Sequence, residues 1–131
     1  MKQFDPIPQE IEDIAAQVID ACFRVHKNLG PGLLESVYEV CVCYELTKAD
    51  IPFQSQIYLP VVYDGERLDA GLRIDLLVAE KVILELKAVE RMIPLYDAQL
   101  LTYLKLTGLR LGFIINFNVP LIKDGIRRII R

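Results

Sequence analysis

Residues 71–87 read GLRIDLLVAEKVILELK, two apolar, strand-like runs that carry Asp75, Glu85 and Lys87 inside them. Period-2 alternation predicts Ile74, Leu76 and Val78 on one face of the first run and Val82, Leu84 and Leu86 on the matching face of the second. Arg73, Asp75, Glu85 and Lys87 are left together on the other face. A hairpin turning about Ala79, Glu80 and Lys81 sets Asp75 opposite Glu85, and directly opposed Cβ atoms are about 5 Å apart. Like charges so placed destabilise a sheet unless a cation lies between them, and a hard divalent metal suits two carboxylates. The same spacing fits an ordinary two-sided hairpin in which Glu85 and Lys87 are solvated and Arg73 neutralises Asp75. Spacing does not choose between these two.

Three patterns, taken together, narrow the choice. Asp75 followed by Glu85-Leu86-Lys87 resembles the D-x(n)-[DE]-x-K signature of the PD-(D/E)XK nuclease superfamily. Gln99-Leu-Leu-Thr-Tyr103 resembles the QxxxY element that follows in RecB-type members, and Gly32-Leu-Leu-Glu35-Ser-Val-Tyr38 resembles the signature of the GxxExxY family. The resemblance implies an α/β, restriction-endonuclease-like three-layer core, with a mixed β-sheet flanked by helices. It implies Mg²⁺ or Mn²⁺ held by Asp75 and Glu85 with the Leu86 carbonyl, and Lys87 orienting or activating the attacking water. Glu35 would hold a metal-bound water or a second ion, Gln99 would orient the site, and Tyr103 would hydrogen-bond or stack beside it. The partner implied is nucleic acid, DNA ahead of RNA, and a homodimer is compatible with it. One departure stands out: many GxxExxY members carry a His-Glu pair two or three positions before the Gln, where this chain has Tyr96-Asp97. The alternative function is a nuclease-like module that binds nucleic acid or protein without hydrolysis.

The chain has 131 residues, the size of one domain (1–131), and such a domain buries roughly two-thirds of its unfolded surface. Hydrophobic residues make up 53%, with seven Gly and seven Pro, which argues against disorder. Apolar runs are too short for a membrane span, and MKQFDPIPQE at the amino terminus is not an apolar signal segment, so a cytoplasmic protein with no membrane partner is expected. Cys22, Cys41 and Cys43 lack CxxC spacing and read as packed, reduced thiols. The net charge of −3 weighs against tight, autonomous binding to duplex DNA.

Helical periodicity is predicted over 10–28, with a stripe through Ile11, Ile14, Ala15, Val18, Ile19, Cys22 and Val25 and His26 near the end as a cap or packing residue. Gly30 and Pro31 break the chain before a second helix over 32–49, on which Leu34, Val37, Cys41 and Tyr44 form the expected buried stripe. A strand over 53–63, the turn Asp64-Gly65 and a short run to Leu68 lead into the 71–79 and 81–89 strands. Pro94 opens a third helix that Gly108 ends, with Leu101 and Leu104 directed to the core. The apolar 111–117 run suits a strand buried on both faces, parallel to 81–89 through a βαβ crossover. A closing 126–130 segment carries Arg127, Arg128 and Arg131, a basic cluster that is either solvated or in contact with phosphate.

Overall fold

The computed structural model describes residues 5–131, the Ala70 side chain excepted; the first four residues of the expected signal-free amino terminus therefore lie outside it. Two helices, α1 (Gln9–Leu29) and α2 (Glu35–Lys48), precede strands β1 (Phe53–Tyr63), β2 (Glu66–Val78) and β3 (Val82–Lys87). Then come α3 (Pro94–Thr107), β4 (Leu111–Asn116), a 3-10 turn at Ile122–Gly125 and β5 (Ile126–Ile130). The five strands form one mixed sheet in the order β1-β2-β3-β4-β5, in which β3 and β4 are parallel and every other pair is antiparallel. One core cluster joins α1 and α2 to one face of the sheet, and a second joins α3 to the other. This is the expected three-layer α/β arrangement. Among the described residues no helix is long and apolar enough to cross a membrane.

Ala15, Val18, Ala21, Cys22 and Val25 are the buried stripe of α1, and burial pushes the Cys22 thiol up to about 12, which leaves it inert. Glu10 and Glu12 sit in the first turn and His26 and Lys27 in the last, as the helix dipole favours. Gly30 closes the helix at φ 68°, its N–H donating to the His26 carbonyl at 2.7 Å. His26 is buried and its Nε2 pairs with the Val119 carbonyl at 2.8 Å, a packing role.

The second helix begins at Glu35, later than expected, because Gly32 at φ 100° keeps the chain out of helical geometry. Its buried side is Tyr38, Val42, Glu45 and Leu46, and the stripe predicted from sequence is wrong: Leu34, Val37 and Tyr44 face solvent and Cys41 is half-buried. The choice is made by Tyr38, which stacks on Phe117 with centroids 4.4 Å apart and planes 9° from parallel. Its hydroxyl donates to the Gly30 carbonyl at 2.7 Å and accepts from the Leu33 N–H at 3.1 Å, tying the glycine-rich connection to the core. On α3 the core residues are Leu100, Tyr103 and Leu104, with Leu101 only half-buried.

Two further expectations change at β2. The short run to Leu68 and the following strand are one continuous element, accommodated by a register shift against β1 between Leu59 and Val61. The predicted common face of Ile74, Leu76 and Val78 also breaks at Asp75: Ile74 packs with the α3 cluster, whereas Leu76 and Val78 pack with α1 and α2. Across the ladder Ser55 pairs with Leu76 and Ile57 with Ile74, while Gln56 between them stands at φ 55°. The two strands therefore share a crease at Gln56 and Asp75, and both exchange faces there.

Candidate functional site

The register between β2 and β3 is the expected one, Leu76 with Leu84, Leu77 with Ile83 and Val78 with Val82, and the turn residues Ala79 and Glu80 both have positive φ. The ladder stops at Leu76 and Leu84, one step short of Asp75 and Glu85. There the side chains replace the backbone. The Asp75 N–H donates to Glu85 Oε2 at 2.7 Å, and the Leu86 N–H donates to Asp75 Oδ2 at 2.9 Å. Strand β3 continues to pair with β4 as far as Lys87 and Asn116, so β2 parts from β3 and a gap opens between them.

That gap is a polar cavity of about 260 Å³ lined by Glu35, Tyr58, Gly71, Arg73, Asp75, Glu85, Lys87, Gln99 and Tyr103. The six side chains given site roles from sequence reach one cavity: Asp75 from β2, Glu85 and Lys87 from β3, Glu35 from the start of α2, and Gln99 and Tyr103 from α3. Leu86, whose carbonyl was the remaining expected ligand, has its side chain in the core and its N–H on Asp75. Tyr38, the last residue of the GxxExxY pattern, is the core anchor described above and does not line the cavity.

Both central carboxylates are buried, and each has one oxygen fixed by a backbone N–H. Burial, then the charge of Asp75, raises the Glu85 carboxyl well above its ordinary value, with Lys87 offsetting only part. Glu35 is raised by burial and by Asp75, and Glu39 likewise. Fully ionised, the lining would set Glu35, Asp75 and Glu85 against only Arg73 and Lys87, an excess that a proton held by Glu85 or a bound cation relieves. Among the described residues no three His, Cys, Asp or Glu side chains are gathered tightly enough to form a closed metal cage. The donor set is an open one, two carboxylates with a third approaching, of the kind that hard cations such as Mg²⁺ occupy while keeping water.

A sequence profile of the PD-(D/E)XK nuclease superfamily matches residues 12–129. The chain belongs to that superfamily. No curated protein and no solved structure matches it. Superfamily nucleases generally use divalent metal ions and act on nucleic acid.

Around this cavity, two contacts were not foreseen from the sequence. Lys87 Nζ lies 4.5 Å from the centroid of the Tyr96 ring, so Tyr96, noted from sequence as a departure from a His-Glu pair, holds the lysine by a cation-π contact. Its neighbour Asp97 pairs with Arg127, away from the cavity. Asn116, buried at the end of β4, accepts from the Val89 N–H at 3.1 Å and donates to the Val89 carbonyl at 3.0 Å. The Phe117 N–H donates to the Lys87 carbonyl at 2.9 Å, so both strand ends beneath the lysine are pinned. A polar side chain ending an apolar strand was the available signal for Asn116. For Tyr96 the sequence marked only the departure from the His-Glu pair, because its contact with Lys87 crosses from α3 to β3. The carboxy-terminal basic cluster is largely neutralised: Arg128 pairs with Glu12 at 2.8 Å as Arg127 does with Asp97, which disfavours it as a phosphate surface.

Glu85 gives a pH-dependent stability with a definite sign. Its folded-state pKa lies above the ordinary 4.5, so the folded protein binds the proton more tightly than the unfolded chain. In metal-free buffer its contribution is fully present below about pH 4.5 and is lost as pH rises through the raised value. Glu85→Gln, which keeps an oxygen for the Asp75 N–H, is expected to stabilise the metal-free protein by roughly 1–3 kcal/mol at pH 8, with the gain vanishing toward pH 4.5. Thermal melts of both proteins across that range check it, and a pH-independent difference refutes the assignment.

Proposed function

We propose that this protein is a divalent-metal-dependent nuclease of the GxxExxY kind that hydrolyses phosphodiester bonds in nucleic acid. The observation that carries the reading is the parting of β2 from β3 at Asp75 and Glu85, which collects two buried carboxylates, Lys87, Glu35 and Gln99 around one polar cavity within a superfamily of nucleases.

Asp75 and Glu85 would hold Mg²⁺ or Mn²⁺, with the Leu86 carbonyl as a further oxygen and Glu35 supporting a water. When bound, the ion supplies Lewis-acid polarisation of the phosphoryl group and lowers the pKa of attacking water. The backbone bonds to one oxygen of each carboxylate fix both groups before substrate arrives, so little reorganisation accompanies the reaction. Lys87, held over Tyr96 and at the end of a pinned strand, directs its ammonium to the water and the developing phosphoryl charge. Gln99 and Tyr103 bound the cavity on the α3 side, where Gln99 would orient the site and Tyr103 would hydrogen-bond or stack beside it.

The test is cleavage of single- and double-stranded DNA and RNA with Mg²⁺ or Mn²⁺ and with chelator, beside melting under the same conditions. Cleavage that requires the metal is expected, together with a raised melting midpoint. A ligand bound only by the native state adds about 2.7 kcal/mol at a hundredfold excess over its Kd. Absence of cleavage on every substrate together with an unmoved midpoint overturns the reading in favour of the inert module.

A further inference from the structure

The β1–β2 arm runs past the point where β3 leaves the ladder, and β1 is one of the two edge strands of the described sheet. On this arm Tyr58 pairs in register with Arg73, and both side chains line the cavity mouth. Tyr58 is 70% exposed, unlike Tyr103 across the cavity, which is buried. Arg73, like Arg67, Arg91, Arg110 and Arg131, makes no ion pair with a described residue. The wall presents an open aromatic face beside an exposed guanidinium, whose charge also faces Glu35 and Glu39, at the rim of a carboxylate cavity. Just beyond this pair, Gly71 stands at φ 75° and presents no side chain to the cavity.

We propose that Tyr58 and Arg73 form a clasp for one unpaired nucleotide next to the scissile phosphate, Tyr58 stacking on its base and Arg73 contacting its phosphate. Stacking on an exposed ring needs a base face that no neighbour covers, which a single strand, a frayed end or a flap offers and a blunt duplex interior does not. The arginine offsets the repulsion between the backbone and the acidic cavity, since the basic cluster on β5 is committed to Asp97 and Glu12. This assigns the substrate class of the proposed nuclease, single-stranded or unpaired nucleic acid, and rests on that reading for the position of the reacting phosphate.

Binding and hydrolysis are measured separately. Binding is read with a single-stranded deoxyoligonucleotide carrying 2-aminopurine, using the full chain with Lys87→Ala and Mg²⁺ present. Quenching of the probe is expected. Adding Tyr58→Ala should weaken affinity about tenfold or more, and Tyr58→Phe, which keeps the ring, should recover most of that loss. Arg73→Ala should weaken binding and make its salt dependence shallower by somewhat under one unit of slope. In otherwise unaltered protein, Tyr58→Ala should slow cleavage of single strands by a larger factor than any cleavage of a blunt duplex. Equal affinity of the Tyr58→Ala and parent proteins, no binding at all, or equal loss on single strands and duplex overturns the clasp. Wild-type cleavage in that case leaves the nuclease reading standing. Quenching that depends on Tyr58 with no cleavage by wild type supports the clasp and removes the nuclease.

Discussion

Lys87→Ala is expected to lower hydrolysis by a thousandfold or more while leaving the fold and the metal-dependent rise in melting midpoint in place. The lysine is half-buried, with its ammonium over Tyr96, and its strand pairing with Asn116 is made by backbone that alanine retains. Its loss removes a charge aimed at the reacting water and phosphoryl oxygens, and one such preorganised group accounts for about 10²–10⁴ in rate. If the lysine stabilises the transition state alone, kcat and kcat/KM fall together and substrate binding is spared. Asp75→Asn should behave differently. The amide oxygen can still accept from the Leu86 N–H, so the strands stay joined, but the charge for the ion is gone, and cleavage and the metal-dependent midpoint shift should vanish together. Undiminished cleavage by Lys87→Ala, after a contaminating nuclease is ruled out, would refute the mechanism.

Gly125→Ala is expected to cost about 3 kcal/mol or more of stability, a fall in melting midpoint of roughly 10 °C. A Cβ added at Gly125 would lie 2.1 Å from the Asn116 carbonyl oxygen and 3.1 Å from its carbon. That oxygen belongs to backbone which cannot easily yield, because Asn116 is buried, pairs with Lys87 in the parallel ladder and clasps Val89 with its side chain. Relief would therefore come from shifting the 3-10 turn and the start of β5. Gly112, where the closest atom would be the end of the Leu100 side chain at 2.9 Å, should tolerate alanine better. A Gly125→Ala midpoint within 2 °C of wild type would show that the turn yields freely.

What the sequence by itself determined is whatever depends on near neighbours along the chain. The buried stripe of α1, the limits of α3 between Pro94 and Gly108, the doubly buried β4 and the β2–β3 register all follow from periodicity and turn chemistry, and each is present. Asp75, Glu85 and Lys87 stand out as charged groups in apolar runs, whereas Glu35, Gln99 and Tyr103 could be selected only through their resemblance to the GxxExxY and QxxxY patterns. Tertiary structure decided the rest, wherever two sides of an element are equally apolar or a partner comes from afar. Helix α2 has hydrophobic residues around much of its girth, so only the Phe117 ring and the Gly30 carbonyl select Tyr38, Val42 and Leu46 over Val37, Cys41 and Tyr44. Alternation along β2 cannot foresee its own reversal at Asp75, because the crease depends on Gln56 of the neighbouring strand and on carboxylates that take the place of ladder carbonyls. Tyr96 beneath Lys87 and the pairing of Arg127 and Arg128 with Asp97 and Glu12 are likewise contacts across 9, 30 and 116 residues of chain. Local spacing carries no information about such pairs, since which side chains meet is fixed by the packing of helices on the sheet.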